Sequence, residues 1–162
     1  MRFLRTIRFD ETDTRVFGRV AEPGEWAVPG GFEFSRVRAG ELSGKMRQAF
    51  ANGFLGVSSF GRSTFATVGE ANADERAYIE TALAQHFVDV YGAPDLLQAR
   101  VAAREEMTFV DDLCASAALN TVLTLRRQFA DNGEIREEFR VIAPPSQGPQ
   151  HTRIWKIETD GT

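Results

Sequence analysis

Two consecutive stretches of the chain carry apolar residues at helical spacing. With about 100° of turn per residue, Ala73 to Tyr91 places Ile79, Leu83, Phe87 and Val90 on one stripe, with Asp74, Thr81, Gln85 and Asp89 opposite. Leu96, Ala99, Ala103, Met107, Val110, Cys114 and Ala117 form the stripe of a second helix. Between them, Tyr91-Gly92-Ala93-Pro94 predicts a bend. Gly accepts the left-handed conformation just past a helix end, and Pro suits the first turn of the next helix. Asn72 fits the cap of the first helix, followed by Asp74 and Glu75 where the helix dipole favours negative charge. So short a connection implies an antiparallel hairpin that needs a further surface to pack on.

Elsewhere the apolar positions alternate, the mark of strands. Phe3, Ile7 and Phe9 alternate with Leu4, Thr6 and Arg8, and after the polar run Asp10 to Thr14 a second strand is expected over Val16 to Val20. Pro29-Gly30-Gly31 separates Trp26 and Val28 from Phe32 and Phe34, which predicts a hairpin with Val28 opposite Phe32 and Trp26 opposite Phe34. Gly40 to Gly53 reads as a short helix with Leu42, Met46, Ala49 and Phe50 inward. The glycines from Gly53 to Gly69 match neither a dinucleotide fingerprint nor a P-loop. A strand at Phe54 to Ser58, a turn at Ser59 to Arg62 and a strand at Ser63 to Gly69 account for them. Asp131-Asn132-Gly133 joins Val122 to Phe129 with Ile135 to Ile142, and a three-residue loop places Phe129 with Ile135, Leu125 with Phe139 and Leu123 with Val141 on one face. The same register opposes Arg127 to Glu137 and Arg126 to Glu138. Pro144 to Gln150 reads as a loop, and Arg153 to Thr159 as a last strand with Trp155 and Ile157 inward. The expected class is α+β: a mainly antiparallel sheet of about six to eight strands, packed against the helical hairpin plus one short helix.

Length and composition place this within one soluble domain over residues 1–162, with 43% apolar and 26% charged residues. A net charge of −4 and dispersed arginines argue against nucleic acid. The longest uncharged stretches, Gln48 to Gly61 and Leu113 to Leu125, fall short of the roughly 18 residues that span a bilayer. Charges at Arg2, Arg5 and Arg8 interrupt any signal-peptide core, so the expected location is the cytoplasm. The single cysteine, Cys114, excludes an intramolecular disulfide and a cysteine-based metal site.

Four segments together, Phe3-Leu4-Arg5-Thr6-Ile7-Arg8-Phe9-Asp10, Glu22-Pro23-Gly24-Glu25-Trp26-Ala27-Val28-Pro29-Gly30, Gly53-Phe54-Leu55-Gly56-Val57 and Gly92-Ala93-Pro94-Asp95-Leu96, resemble an uncharacterised alphaproteobacterial family of proteins of about this length. The resemblance covers nearly the whole chain and transfers no catalytic residues. It implies an accessory role, in the neighbourhood of molybdenum enzymes.

Four features could carry chemistry. Glu106 falls within the apolar face of the second helix, beside Ala99, Ala102, Ala103, Val110 and Leu113. A carboxylate there is either partnered, with Arg127 as the natural choice, or protonated at neutral pH. If Arg127 is the partner, Glu106→Gln strands the arginine and costs a few kcal/mol. His86 lies on the shoulder of the first helix's stripe and reads as a hydrogen-bonded boundary histidine rather than a ligand. About six residues of helix separate its level from Glu106, too far for a dyad. Cys114, on the packing stripe, reads as an inert small hydrophobe. The Arg127 and Glu137 pair either reaches the rim of the sheet or meets Glu106 in a buried ionic cluster. No metal is expected, because the position three residues before each histidine holds Leu83 or Gly148 instead of Glu. No cofactor is expected either. Two functions compete: a non-enzymatic accessory protein that binds a protein partner or itself, and a small-molecule binder or enzyme with a pocket between sheet and hairpin, approached by Glu106, Arg127, Glu137 or His86.

Overall fold

The computed structural model describes residues 1–142 and 157–158. The elements run β1 (Arg2–Ile7), α1 (Thr12–Val16), β2 (Trp26–Val28), two 3-10 helices (Gly31–Phe34 and Ala39–Glu41), α2 (Gly44–Asn52), β3 (Phe54–Gly56), β4 (Arg62–Ser63) and β5 (Phe65–Glu70). The helical hairpin α3 (Ala73–Tyr91) and α4 (Leu96–Cys114) follows, then β6 (Val122–Phe129), β7 (Ile135–Ile142) and β8 (Ile157–Glu158). One sheet takes the order β4-β3-β2-β1-β5-β6-β7-β8, with antiparallel pairing between all neighbours. The protein is α+β.

The hairpin follows its pattern. Asn72 caps α3 by accepting from the Glu75 amide, and Gly92 ends the helix in the left-handed conformation. Ile79, Leu83, Ala84 and Phe87 of α3 bury with Ala99, Ala103, Met107, Val110 and Cys114 of α4. Phe3, Phe54, Leu123, Leu125 and Phe139 complete that core from the sheet. The stripes are shorter than expected, however: Val90 is 58% exposed and Leu96 45%. Both sit at the bend, beyond the reach of the sheet. The cap of α4 is Asp95, which accepts from the Gln98 amide, so Pro94 precedes the helix.

The β6–β7 hairpin keeps the expected register, Leu125 opposite Phe139 and Arg127 opposite Glu137, with Gly133 in the left-handed region. The expected loop Pro144 to Gln150, and Trp155 with the first part of the last strand, lie outside the described residues.

Three expectations are corrected. Val16 to Val20 is not a strand: α1 ends at Val16, and of the remainder Val20 makes one isolated parallel bridge to Arg62. Asp13 anchors that helix by accepting from the Thr64 amide and hydroxyl at 3.2 and 2.6 Å. The bonds also break the stretch Ser63 to Gly69 at Thr64, so that β4 pairs with β3 and β5 with β1. Second, β2 forms no hairpin with Phe32 and Phe34, because both its edges are already taken by β1 and β3. The chain turns at Gly30, left-handed at φ 75°, into a 3-10 helix. There, at about three residues per turn, Phe32 and Phe34 diverge to different partners, Phe32 to Phe87 and Tyr91, and Phe34 to Phe50. Third, α2 buries Phe50 with Phe34 and Leu42 in a satellite core, but Met46 is 51% exposed. It stands at the lip of the cleft described next.

Candidate functional site

The segment Pro29 to Phe34 has few backbone partners of its own, and two buried arginines supply them. Arg127 of β6 donates to the Pro29 carbonyl at 2.8 Å, to the Phe50 and Ala49 carbonyls at 2.6 and 3.4 Å, and to Glu137 at 2.9 Å. Arg62 of β4 donates to the same Pro29 carbonyl at 3.3 Å, to Gly53 and Gly30 at 3.0 and 3.1 Å, and to Glu33 at 2.7 Å. Each guanidinium thus holds loop carbonyls with one hand and a carboxylate with the other, which is how buried charge is made tolerable. Burial lowers the Arg62 pKa to about 10, with Glu33 opposing, so the group stays charged at neutral pH.

Glu33 is the meeting point. One of its oxygens accepts from Arg62, and the other accepts from Tyr91 Oη at 2.9 Å and holds His86 Nε2 at 3.0 Å. Burial pushes this carboxyl up, but Arg62, His86 and Tyr91 together outweigh it and hold the group below its ordinary value. Tyr91 is correspondingly raised by burial and by the neighbouring carboxylate. With Nε2 committed to Glu33, no hydrogen bond of the other ring nitrogen is found among the described residues.

The imidazole is also covered from one side. Phe60 stacks flat on it, ring centroids 3.8 Å apart and planes 3° from parallel. Phe60 holds this place with φ at 56°, a left-handed conformation that a bulky side chain avoids. The turn passes close to the neighbouring chain: a Cβ at the next residue, Gly61, would lie 2.4 Å from the Val20 carbonyl carbon. Strain of this kind costs on the order of 1–3 kcal/mol and gathers at functional sites. The turn is locked from behind by Glu25, whose carboxylate accepts from the Ser58 and Ser59 amides, the Ser59 hydroxyl and the Glu22 amide. So the Gly-rich segment is a turn, as its spacing predicts, and its amides cradle an anion belonging to the chain itself.

His86, Glu33, Phe60 and Arg62 face a cleft of about 520 Å³ whose rim carries Arg19, Lys45, Met46 and Val90. Of the sequence-derived candidates, His86 belongs to this site, and Arg127, paired with Glu137, adjoins it by sharing the Pro29 carbonyl with Arg62. Glu106 does not join them. The pairing of Glu106 with Arg127 is corrected: Arg127 gives its donors to Glu137 and three carbonyls, and neither a hydrogen bond nor an ion pair of Glu106 is found among the described residues. Burial, then the charges of Glu137 and Glu105, push the Glu106 carboxyl up to about 7, with Arg127 opposing. Its folded pKa therefore exceeds its unfolded value, so its contribution to stability is complete below the unfolded pKa near 4.5 and is lost as pH rises towards 7. Glu106→Gln is accordingly expected to leave stability unchanged at pH 4.5 and to raise it by about 1–2 kcal/mol at pH 8. Urea unfolding at the two pH values checks this, and a loss at pH 8 would restore the stranded-arginine reading. Cys114 lies fully buried on the packing stripe, where burial pushes its thiol up to about 12.

Glu33, Tyr91, Arg62, Lys45 and Arg19 are the site residues that sequence reasoning misses. The one local signal for Glu33 is a carboxylate flanked by Phe32 and Phe34, where solvation is poor on either side.

A small antiparallel α+β fold with a charged, half-enclosed cleft at one end of its sheet is the class these observations define. The chain belongs to the family of unknown function DUF6505, whose pattern matches residues 1–157. No curated protein and no solved structure matches it.

Proposed function

We propose that the protein is a non-enzymatic binding protein that holds a small molecule in the cleft over His86. The strained Phe60, kept in a left-handed turn so that its ring lies on His86, is the observation that carries this reading. The volume of about 520 Å³ fits a small ligand, and the mix of apolar walls with a few fixed polar groups is what such sites require. The Glu33, His86 and Tyr91 groups are already bonded to one another, and no activated nucleophile is found in the cleft among the described residues; binding suits it better than turnover.

The neutral fluorophore phenylnaphthylamine tests the reading. It should bind once per chain, shift the His86 ring resonances, and lose its site in Val90→Asp, whose parent side chain is exposed and outside the core. The chain has two histidines, so the ring signals are readily assigned. Binding that leaves the His86 signals unmoved would sink the proposal.

A second reading, docking of a protein partner, is favoured by Leu97 and Val101, one turn apart on α4 and 75% and 51% exposed. Affinity purification from the native host tests it, and recovery of the protein alone would leave it without support.

A further inference from the structure

Resting on the binding reading above, we infer that the ligand of the cleft is a small organic anion, with an apolar body against Met46, Val90 and Phe60 and its acidic group between Arg19 and Lys45. The protein as a whole is acidic, at −4, yet the cleft has the opposite balance. Three permanent cations, Arg19, Lys45 and Arg62, line it against one carboxylate, Glu33. That carboxylate is occupied by Arg62, His86 and Tyr91 on both its oxygens, so its charge is already met locally. Arg62 is spent on Glu33 and three loop carbonyls. Arg19 and Lys45 are not. Arg19 makes one long contact, 3.5 Å to the Ser59 carbonyl, and no ion pair of Lys45 is found among the described residues.

Two exposed cations beside exposed apolar side chains are complementary to an amphipathic acid. A wholly apolar molecule would leave both charges facing it. A bare inorganic anion would leave Met46 and Val90 wet. The cationic rim also draws anions over distances of about a Debye length, roughly 10 Å at 0.1 M salt.

The test compares phenylnaphthylamine with anilinonaphthalene sulfonate, which share an aromatic body and differ by the sulfonate. The expected result is that the sulfonate binds at least about tenfold tighter, a difference equivalent to one good charge contact, and that rising salt narrows the gap. In Arg19→Glu/Lys45→Glu the two probes should bind alike. Circular dichroism and the melting temperature confirm that this surface variant is folded. Equal affinities in the parent protein, or a preference that survives the charge reversal, would overturn the anion inference while leaving the cleft a binding site. Failure of both probes to move the His86 signals would instead overturn the binding reading itself.

Discussion

Arg127→Met is expected to destabilise the protein by about 3–5 kcal/mol, the cost typical of removing one partner from a buried charge pair. The side chain is fully buried and makes four hydrogen bonds. Methionine fills much of the same volume, so the loss is electrostatic rather than a cavity. What it leaves behind is Glu137 without its cation and the Phe50 carbonyl without its donor, while the Pro29 carbonyl keeps only the longer bond from Arg62 and the Ala49 carbonyl keeps the Gly53 amide. The Phe50 carbonyl belongs to the last turn of α2, where helix carbonyls lack a partner within the helix, whereas Ala49 is met by the Gly53 amide. Arg127 is thus also the cap of that helix, supplied from a strand 77 residues away from Phe50. Urea unfolding gives the number, and a loss under about 1 kcal/mol would show that water replaces the guanidinium at little cost. A double-mutant cycle adds a sharper check: Arg127 should couple to Glu137 by about 0.5–3 kcal/mol and far less to Glu106.

Glu25→Ala should follow closely, at about 2–4 kcal/mol, because it removes the acceptor of three backbone amides and a hydroxyl at once. Glu25 is 9% exposed, too little for solvent to take over freely. Glu25→Gln should recover part of the loss, since the amide oxygen still accepts while its nitrogen faces other donors. The effect should also reach the site. With Ser58 and Ser59 released, Phe60 has less to hold it left-handed, and the His86 ring resonances should move towards those of a histidine without an aromatic neighbour. Unchanged melting with unchanged His86 signals would mean that the turn holds itself.

Legibility in the sequence followed the distance between partners. The β6–β7 register was readable because the turn Asp131-Asn132-Gly133 and the alternation on either side specify it locally. The hairpin of α3 and α4 was readable for the same reason, from stripe, cap and bend. The neighbours of β2 were not, since three residues of strand carry no mark of which edges they will meet. Phe32 and Phe34 read as one face of a strand, and only the occupied edges of β2 rule that out. The site was least readable of all. Glu33 collects donors from 29, 53 and 58 residues along the chain, and no spacing rule joins them. Glu106 shows the opposite case: its misfit with the apolar stripe was visible, whereas the competition that gives Arg127 to Glu137 and three carbonyls was a property of the fold.

The left-handed Phe60 also governs which substitutions this stretch can absorb over evolutionary time. Glycine would relieve the backbone at that position, and asparagine would nearly do so, but neither presents a ring to His86. A side chain at position 61 would run into the backbone of Val20, so the neighbouring residue cannot take over the bend. Positions 60 and 86 are therefore expected to constrain each other through the ring stack, while position 61 is held to glycine by the backbone of Val20.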